Sequence, residues 1–407
     1  MQSQSLYRNR NFVYLWGGRG VSEFGDFFGE LAISWLVYVE TSSPLALGAS
    51  WLAFLLPRSA IRLWGGVYVD RYDRKKIMLM TETTRAILFG LLGILVIQGY
   101  TSLPLVYSVS FLVGLLGALF DLASDAVLPL IIEKESLFTA NSLFTSTFQI
   151  DNIVGPAAAG VAIRVLGTGI PMLVDSASFV VLVVALILMK VPQVSGAPRK
   201  SAWLSNFKEG LDFFRKRSEL VWLAFMVAGI NFGLGAFWYV YVLPFARDVL
   251  LSGSTGYGLI GAFSALGIFS GSVLLGKRGG IRRRRLSVVS SFVAMSVFII
   301  LISFTRSLVH ALAVIFAFGA SIPFIDIVAT TYYQESVPQE LMGRVFGVRH
   351  FINYVSLPAS IVFGIAATFA VGVTTAILVS GLIMLAFALV SVFAKPLSRL
   401  DLPRPPD

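Results

Sequence analysis

The chain has no cysteine among its 407 residues and only two histidines. The first absence excludes disulfides and thiol chemistry. The second, with no clustered His or Cys ligands, argues against a transition-metal enzyme. No Gly-x-x-x-x-Gly-Lys-Ser/Thr run is present, so nucleotide hydrolysis is not indicated. No nucleophile–base set stands out either, so neither an enzyme nor a cofactor-binding protein is expected. Charge is also scarce. Asp, Glu, Lys and Arg make up 13% of the residues against 56% hydrophobic ones, more apolar surface than a soluble fold of this size can cover. The net charge of +10 is better read by its location than as a nucleic-acid footprint. Met1 to Asn11 is short and polar, and Arg19 and Glu23 interrupt the apolar run behind it. The first span is therefore expected to act as its own targeting signal.

What is abundant is apolar sequence in lengths of about 20 residues, enough to cross a bilayer as helix. Such stretches lie at 12–39, 45–69, 77–98, 104–132, 140–165 and 168–190, and again at 219–246, 255–276, 286–304, 308–334, 341–369 and 372–394. The expectation is an all-α polytopic membrane protein of about twelve spans. Its organisation reads as a first bundle over 1–191, a polar linker over 192–218 and a second bundle with a short tail over 219–407. Basic residues collect on one side. Arg71, Arg74, Lys75 and Lys76 lie between spans two and three, Lys208, Arg215, Lys216 and Arg217 between six and seven, and Lys277 and Arg282 to Arg285 between eight and nine. The opposite loops are short and poor in Lys and Arg, so the positive-inside rule puts both termini in the cytoplasm. Within the linker, Trp203, Phe207, Leu211 and Phe214 fall on one side of a helix with basic residues elsewhere. This predicts an interfacial amphipathic helix bracing the halves.

Four ionisable residues share one stripe of the first span: Arg19, Glu23, Asp26 and Glu30. Steps of four, three and four return to nearly the same side of a helix. A charge at the bilayer centre costs at least ~2.5 kcal/mol, so the stripe must face protein or a water-filled cavity. Arg58, near the middle of span two, lies at a similar depth and is the expected partner of Asp26. Asp26, then Glu30, then Glu23 are the candidates for proton coupling or substrate contact. Such a carboxylate does this work when its proton affinity differs between two conformations. Further cavity candidates are Thr145, Gln149 and Asn152 on span five, Asn231 and Trp238 on span seven, Asp326 on span ten, and His350 and Asn353 on span eleven. Each of these polar groups also suits a plain interhelical hydrogen bond. Asp151 and Asp175 read as structural pairs. No metal site is expected.

Between spans two and three the chain reads Gly66-Val67-Tyr68-Val69-Asp70-Arg71-Tyr72-Asp73-Arg74-Lys75. This resembles the G-x-x-x-D-R-x-x-R-K signature of the major facilitator superfamily. The resemblance implies a latch in which Gly66 permits close helix contact and Asp70 docks near Gly343 and Arg344 at the start of span eleven. Arg71, Arg74 and Lys75 would hold the loop cytoplasmic. Asp73 stands where a glycine is usual. Ala126-Val127-Leu128-Pro129 through Asn141, Phe207-Lys208-Glu209-Gly210-Leu211, and Leu341-Met342-Gly343-Arg344-Val345-Phe346-Gly347 together resemble the bacterial efflux branch containing macrolide efflux pumps and the enterobactin exporter. Gly155-Pro156 and Gly160 resemble the tail of the antiporter motif in drug exporters, and equally suit a kinked, close-packed helix. Span four carries Asp121 and Asp125 but lacks the arginine many drug/proton antiporters have there.

The resemblance implies two pseudo-symmetric six-helix bundles that rock around a midplane site in the plasma membrane. It implies a monomer, in contact with lipid, that exports a small amphipathic or cationic compound in exchange for protons. Transport of a polar solute or divalent metal cation, and lipid flipping, stand as alternatives. No nucleic-acid partner is expected.

Overall fold

The computed structural model describes residues 6–65, 69, 72–192, 203–277, 281 and 283–401. Helix dominates, and no strand occurs among the described residues. The first six spans are Arg10–Thr41, Pro44–Trp64, Arg74–Ile97, Leu103–Ile131, Leu137–Leu166 and Gly169–Leu188. Span seven begins as Ser218–Ala236 and runs on through wide turns to Val249. Span eight is Gly253–Lys277, and span nine is Arg284–Phe304. Span ten is broken into Leu308–Ser321 and Pro323–Ser336, followed by span eleven, Gln339–Val371, and span twelve, Val373–Val392. Ten helices among the described residues are apolar and long enough to cross a membrane. The two that fall short are span one, because of its charge stripe, and span five, because of its Thr, Gln, Asp and Asn residues.

The helix starts are written in the sequence. Asn9 Oδ1 accepts from the amides of Asn11 and Phe12 at 3.1 and 3.3 Å, which fixes where span one begins. Ser43 caps span two ahead of Pro44. Asp73 Oδ1 accepts from Lys75 N at 2.9 Å and Lys76 N at 3.2 Å. The residue that departs from the family pattern is thus the N-cap of span three. Gly167 (φ +74°) turns the chain between spans five and six in a backbone region open to glycine.

The chain divides into two compact units. One holds residues 1–200 with 252–262, the other 201–251 with 263–407. Residues 252–262, at the start of span eight, thus group with the first six spans. In the first unit span one packs on five and six, span three on four and six, and span two on four. Phe12, Leu15, Met78, Val127 and Leu182 anchor its core. The second unit repeats the arrangement: span seven on eleven and twelve, and span nine on ten and twelve. Glycines set the equivalent close crossings. A Cβ on Gly114 of span four would overlap the backbone of Phe54 in span two, and one on Gly319 of span ten would overlap the carbonyl of Ser264 in span eight. Span five meets the start of span eight in the same way. Ser254 Oγ donates to Gly160 O at 2.9 Å, and Gly258 lies against Pro156 and Gly160. The Gly155-Pro156…Gly160 stretch therefore acts here as a packing surface.

In span seven, Phe237–Tyr241 and Phe245–Val249 are wide π turns on either side of Val242–Pro244. Proline has no amide hydrogen and crowds the carbonyl four residues back, so the helix widens around Pro244.

The linker helix, Trp203–Lys216, packs on span eleven within the second unit. Glu209 pairs with Arg344 at 2.5 Å, and Phe207 meets the edge of Phe351 at 5.3 Å between centroids. Gly210 lies so close that a Cβ there would come within 2.5 Å of Arg344 O. Phe214, buried, stacks on Tyr333 of span ten.

Candidate functional site

Most of the titratable groups inside the spans are gathered in the first unit. Arg19 Nε bonds Glu23 Oε1 at 2.6 Å, one helical turn on. The same guanidinium approaches Asp121 at 3.8 Å and Asp125 at 3.6 Å on span four and donates to Ser124 Oγ at 3.3 Å. Span two contributes Arg58 and Arg62, four residues apart and so on one face. Both reach Asp121 Oδ2, at 3.1 and 2.5 Å. The aspartate of span four thus gathers arginines from spans one and two. The expected Asp26–Arg58 contact is electrostatic only: the Gly114–Phe54 crossing draws span two onto span four, and Arg58 bonds Asp121 while Asp26 and Glu30 stay within its electrostatic reach.

Asp26 turns instead to span three. Arg85 Nη2 donates to Asp26 Oδ1 at 2.7 Å, while Nη1 holds Glu82 at 3.0 and 3.2 Å to its two oxygens. The guanidinium lies 4.1 Å from the centroid of the Phe179 ring on span six. Arg85 is 7% exposed and Glu82 not at all, whereas Asp26 is 29% exposed. A buried arginine therefore presents one partly accessible carboxylate. One turn on, Glu30 has no hydrogen-bond or ion-pair partner among the described residues. It lines a cavity with Ser34, Trp51, Phe54, Phe89 and Val113. Arg19, Arg58, Arg62 and Arg85 face Glu23, Asp26, Glu30, Glu82, Asp121, Asp125 and, on span six, Asp175. With every carboxylate ionised the group would carry more negative than positive charge, although Asp125 and Asp26 keep part of their surface open.

In the second unit the sequence candidates come together in two places. Asn231 donates to Asn353 Oδ1 at 2.9 Å and to Ser356 Oγ at 3.3 Å, joining spans seven and eleven. Arg349 Nη2 reaches Asp326 Oδ1 at 3.1 Å, and its Nη1 reaches Thr330 Oγ1 at 2.9 Å. Arg349 is 10% exposed there and Asp326 65%. Trp238, half-buried in the first wide turn, packs edge-on against Phe237. On span five, Gln149 is half-buried and Asn152 bonds back to Phe148 O at 2.7 Å in its own helix. The side chain of His350 and residues Gly66, Asp70 and Arg71 lie outside the described residues. Of the latch motif, Arg74 reaches toward Ala126 O at 3.5 Å. Lys75 Nζ donates to Met189 O at 2.6 Å and Ile187 O at 3.1 Å, placing a cation on the carbonyl end of span six.

Arg85, Glu82 and Arg349 were not singled out from sequence. The available signal was Glu82-x-x-Arg85, an i,i+3 pair inside an otherwise apolar stretch. It lies near the start of span three and reads as part of the polar flank.

The family model described as transmembrane secretion effector matches residues 2–402. The chain belongs to this family of major facilitator transporters. Macrolide efflux protein A of Streptococcus pyogenes is 26% identical over 408 residues, covering 96% of this chain and 97% of its own. Multidrug efflux pump Tap of Mycolicibacterium fortuitum is 27% identical over 395 residues, covering 92% and 93%. The fold matches the crystal structure of the POT family transporter PepTSo with a TM-score of 0.74 at 11% identity, over 94% of this chain and 97% of that one. The protein is an integral membrane transporter of the major facilitator class.

Proposed function

We propose that this transporter exports a small amphipathic cation across the plasma membrane in exchange for protons, with Asp26 as the carboxylate that alternates between its arginine and the cargo. The observation that carries this reading is the asymmetric Asp26–Arg85 pair: a buried guanidinium holding a carboxylate that keeps part of its surface open. Such a carboxylate can exchange its partner, because a cation arriving from the open side competes directly with Arg85. Glu30, one turn along and without a hydrogen-bond partner among the described residues, adds a second carboxyl group beside the Trp51, Phe54 and Phe89 rings. Carboxylate plus aromatic faces is a pairing that suits an organic ammonium group. The macrolide and multidrug efflux relatives support export as the direction. In this reading the basic loops and both termini lie in the cytoplasm, and a monomer is the working unit.

The test is efflux of a lipophilic cationic dye from proteoliposomes under an imposed pH gradient, which supplies ~1.4 kcal/mol per unit and proton. Wild type is expected to move dye only with the gradient, and Asp26→Asn is expected to lose that dependence. Gradient-independent dye movement by wild type would rule out antiport.

A further inference from the structure

Asp175 sits in the second turn of span six, and its side chain is fully buried. Oδ2 has no hydrogen-bond partner among the described residues. The Ser178 hydroxyl can donate to the Asp175 carbonyl at 2.7 Å or, over a longer 3.4 Å, to Oδ1. The space is shaped for a carboxyl group. Gly25 and Gly29, one turn apart on span one, leave the room, and a Cβ on Gly29 would collide with Oδ2 itself. The second orphan in this region is Arg85 Nε, also buried and also without a partner. Arg85 and Asp175 lie within electrostatic reach of each other.

We infer that Asp175 is the proton-binding site of this transporter and that Arg85 is shared between it and Asp26. The groups facing Asp175 are Asp26 and Glu30 from span one and Arg85, with Glu82 behind it, from span three. Span five also packs on span six; its Asp151 has Glu23 as its electrostatic neighbour, and its Arg164 lies in the helix's last turn. Among the described residues Arg85 is the cation that acts on Asp175, and in this structure it is bonded to Asp26 and Glu82. A buried carboxyl among carboxylates, with one oxygen unbonded among the described residues and only a long contact to Ser178 at the other, is costly to leave ionised without its own cation.

This rests on the cation-for-proton reading above and gives it an order of events. An incoming cation takes Asp26 from Arg85. The guanidinium then turns toward Asp175, the O–H bond of Asp175 breaks, and its proton leaves to water. On return a proton adds to Asp175, Arg85 goes back to Asp26, and the cation is expelled. One positive charge enters as one departs, so the buried group keeps its net charge throughout.

The decisive experiment is infrared spectroscopy of the purified full-length protein, following the C=O stretch of protonated carboxylic acids at neutral pH. Asp175→Asn, nearly isosteric, is expected to lose one component of that band, and Glu30→Gln is expected to keep it. Asp26→Asn is expected to lose the same component although Asp175 is intact, because Arg85 is then free to pair with it and ionise it. A full band in Asp175→Asn, or an Asp175 component that survives in Asp26→Asn, would overturn the inference. Dye efflux under the pH gradient is measured on the same preparations. If wild type moves no cation while the infrared changes appear as stated, the export reading fails and the shared arginine stands.

Discussion

Arg85 of span three donates to Asp26 of span one at 2.7 Å and, through its other terminal nitrogen, to Glu82 one turn back on its own helix. Its flat face is covered by Phe179. Three helices thus converge on a single guanidinium. One terminal nitrogen on both oxygens of Glu82, the other on Asp26 and a stacked ring suit the planar fork of arginine and not the point charge of lysine.

Arg85→Ala is expected to destabilise the protein by about 3–5 kcal/mol, because it strands buried Glu82 without a counter-charge. Arg85→Lys should lose less stability and still fail in gradient-driven efflux. Thermal unfolding in detergent, compared with transport on the same samples, separates the two effects.

Asp121 gathers Arg58, Arg62 and Arg19. Losing one arginine leaves the others to compensate, so Arg58→Gln should cost no more than ~1 kcal/mol. Asp121→Asn leaves several cations facing one another and should cost about 3–5 kcal/mol. A double-mutant cycle between positions 58 and 121 should show strong coupling. Additive effects would mean that the Arg58–Asp121 contact contributes little.

Gly29→Ala would press on Asp175 and on the Phe89 ring, whose nearest carbon lies 2.5 Å from the added atom. A loss of ~1–3 kcal/mol is expected, the usual cost of overpacking. Gly17, on the same helix, has nothing within 4 Å of such an atom. Gly17→Ala should instead gain ~0.5–1 kcal/mol from helix propensity. Unfolding midpoints of the two variants should move in opposite directions.

Glu209→Arg should weaken the seat of the linker helix on span eleven, and adding Arg344→Glu should restore it, with about 0.2–1 kcal/mol at stake. Gly210→Leu should unseat the helix outright, because the side chain would enter the space of the Arg344 carbonyl. Tryptic cleavage at Lys208 and Arg215 reports each case. Unchanged cleavage in Gly210→Leu would mean that the helix does not depend on this contact.

The span positions were legible because bilayer thickness imposes one length on every apolar stretch. The predicted 286–304 and 372–394 fall within two residues of Arg284–Phe304 and Val373–Val392. Asp26 and Glu30 were legible for the same reason: charge in such a stretch is conspicuous. Partnership was not, since depth along a helix says nothing about which neighbour it faces. Arg58 had the right depth for Asp26, but the glycine at 114 had already drawn its helix toward Asp121. Asp175 was seen and read as half of a structural pair, because the glycines that make room for it lie about 150 residues earlier in the chain.

Span seven has a consequence for anyone who aligns or mutates this protein by helical periodicity. Its two wide turns each take up a residue that a regular helix would have passed along to the next face. A wheel drawn through 218–249 is faithful as far as Ala236 and drifts out of phase beyond it. Asn231 keeps the bearing that periodicity assigns. Tyr241, which meets Ser380 at 3.1 Å, and everything after it must be located by contact and not by counting.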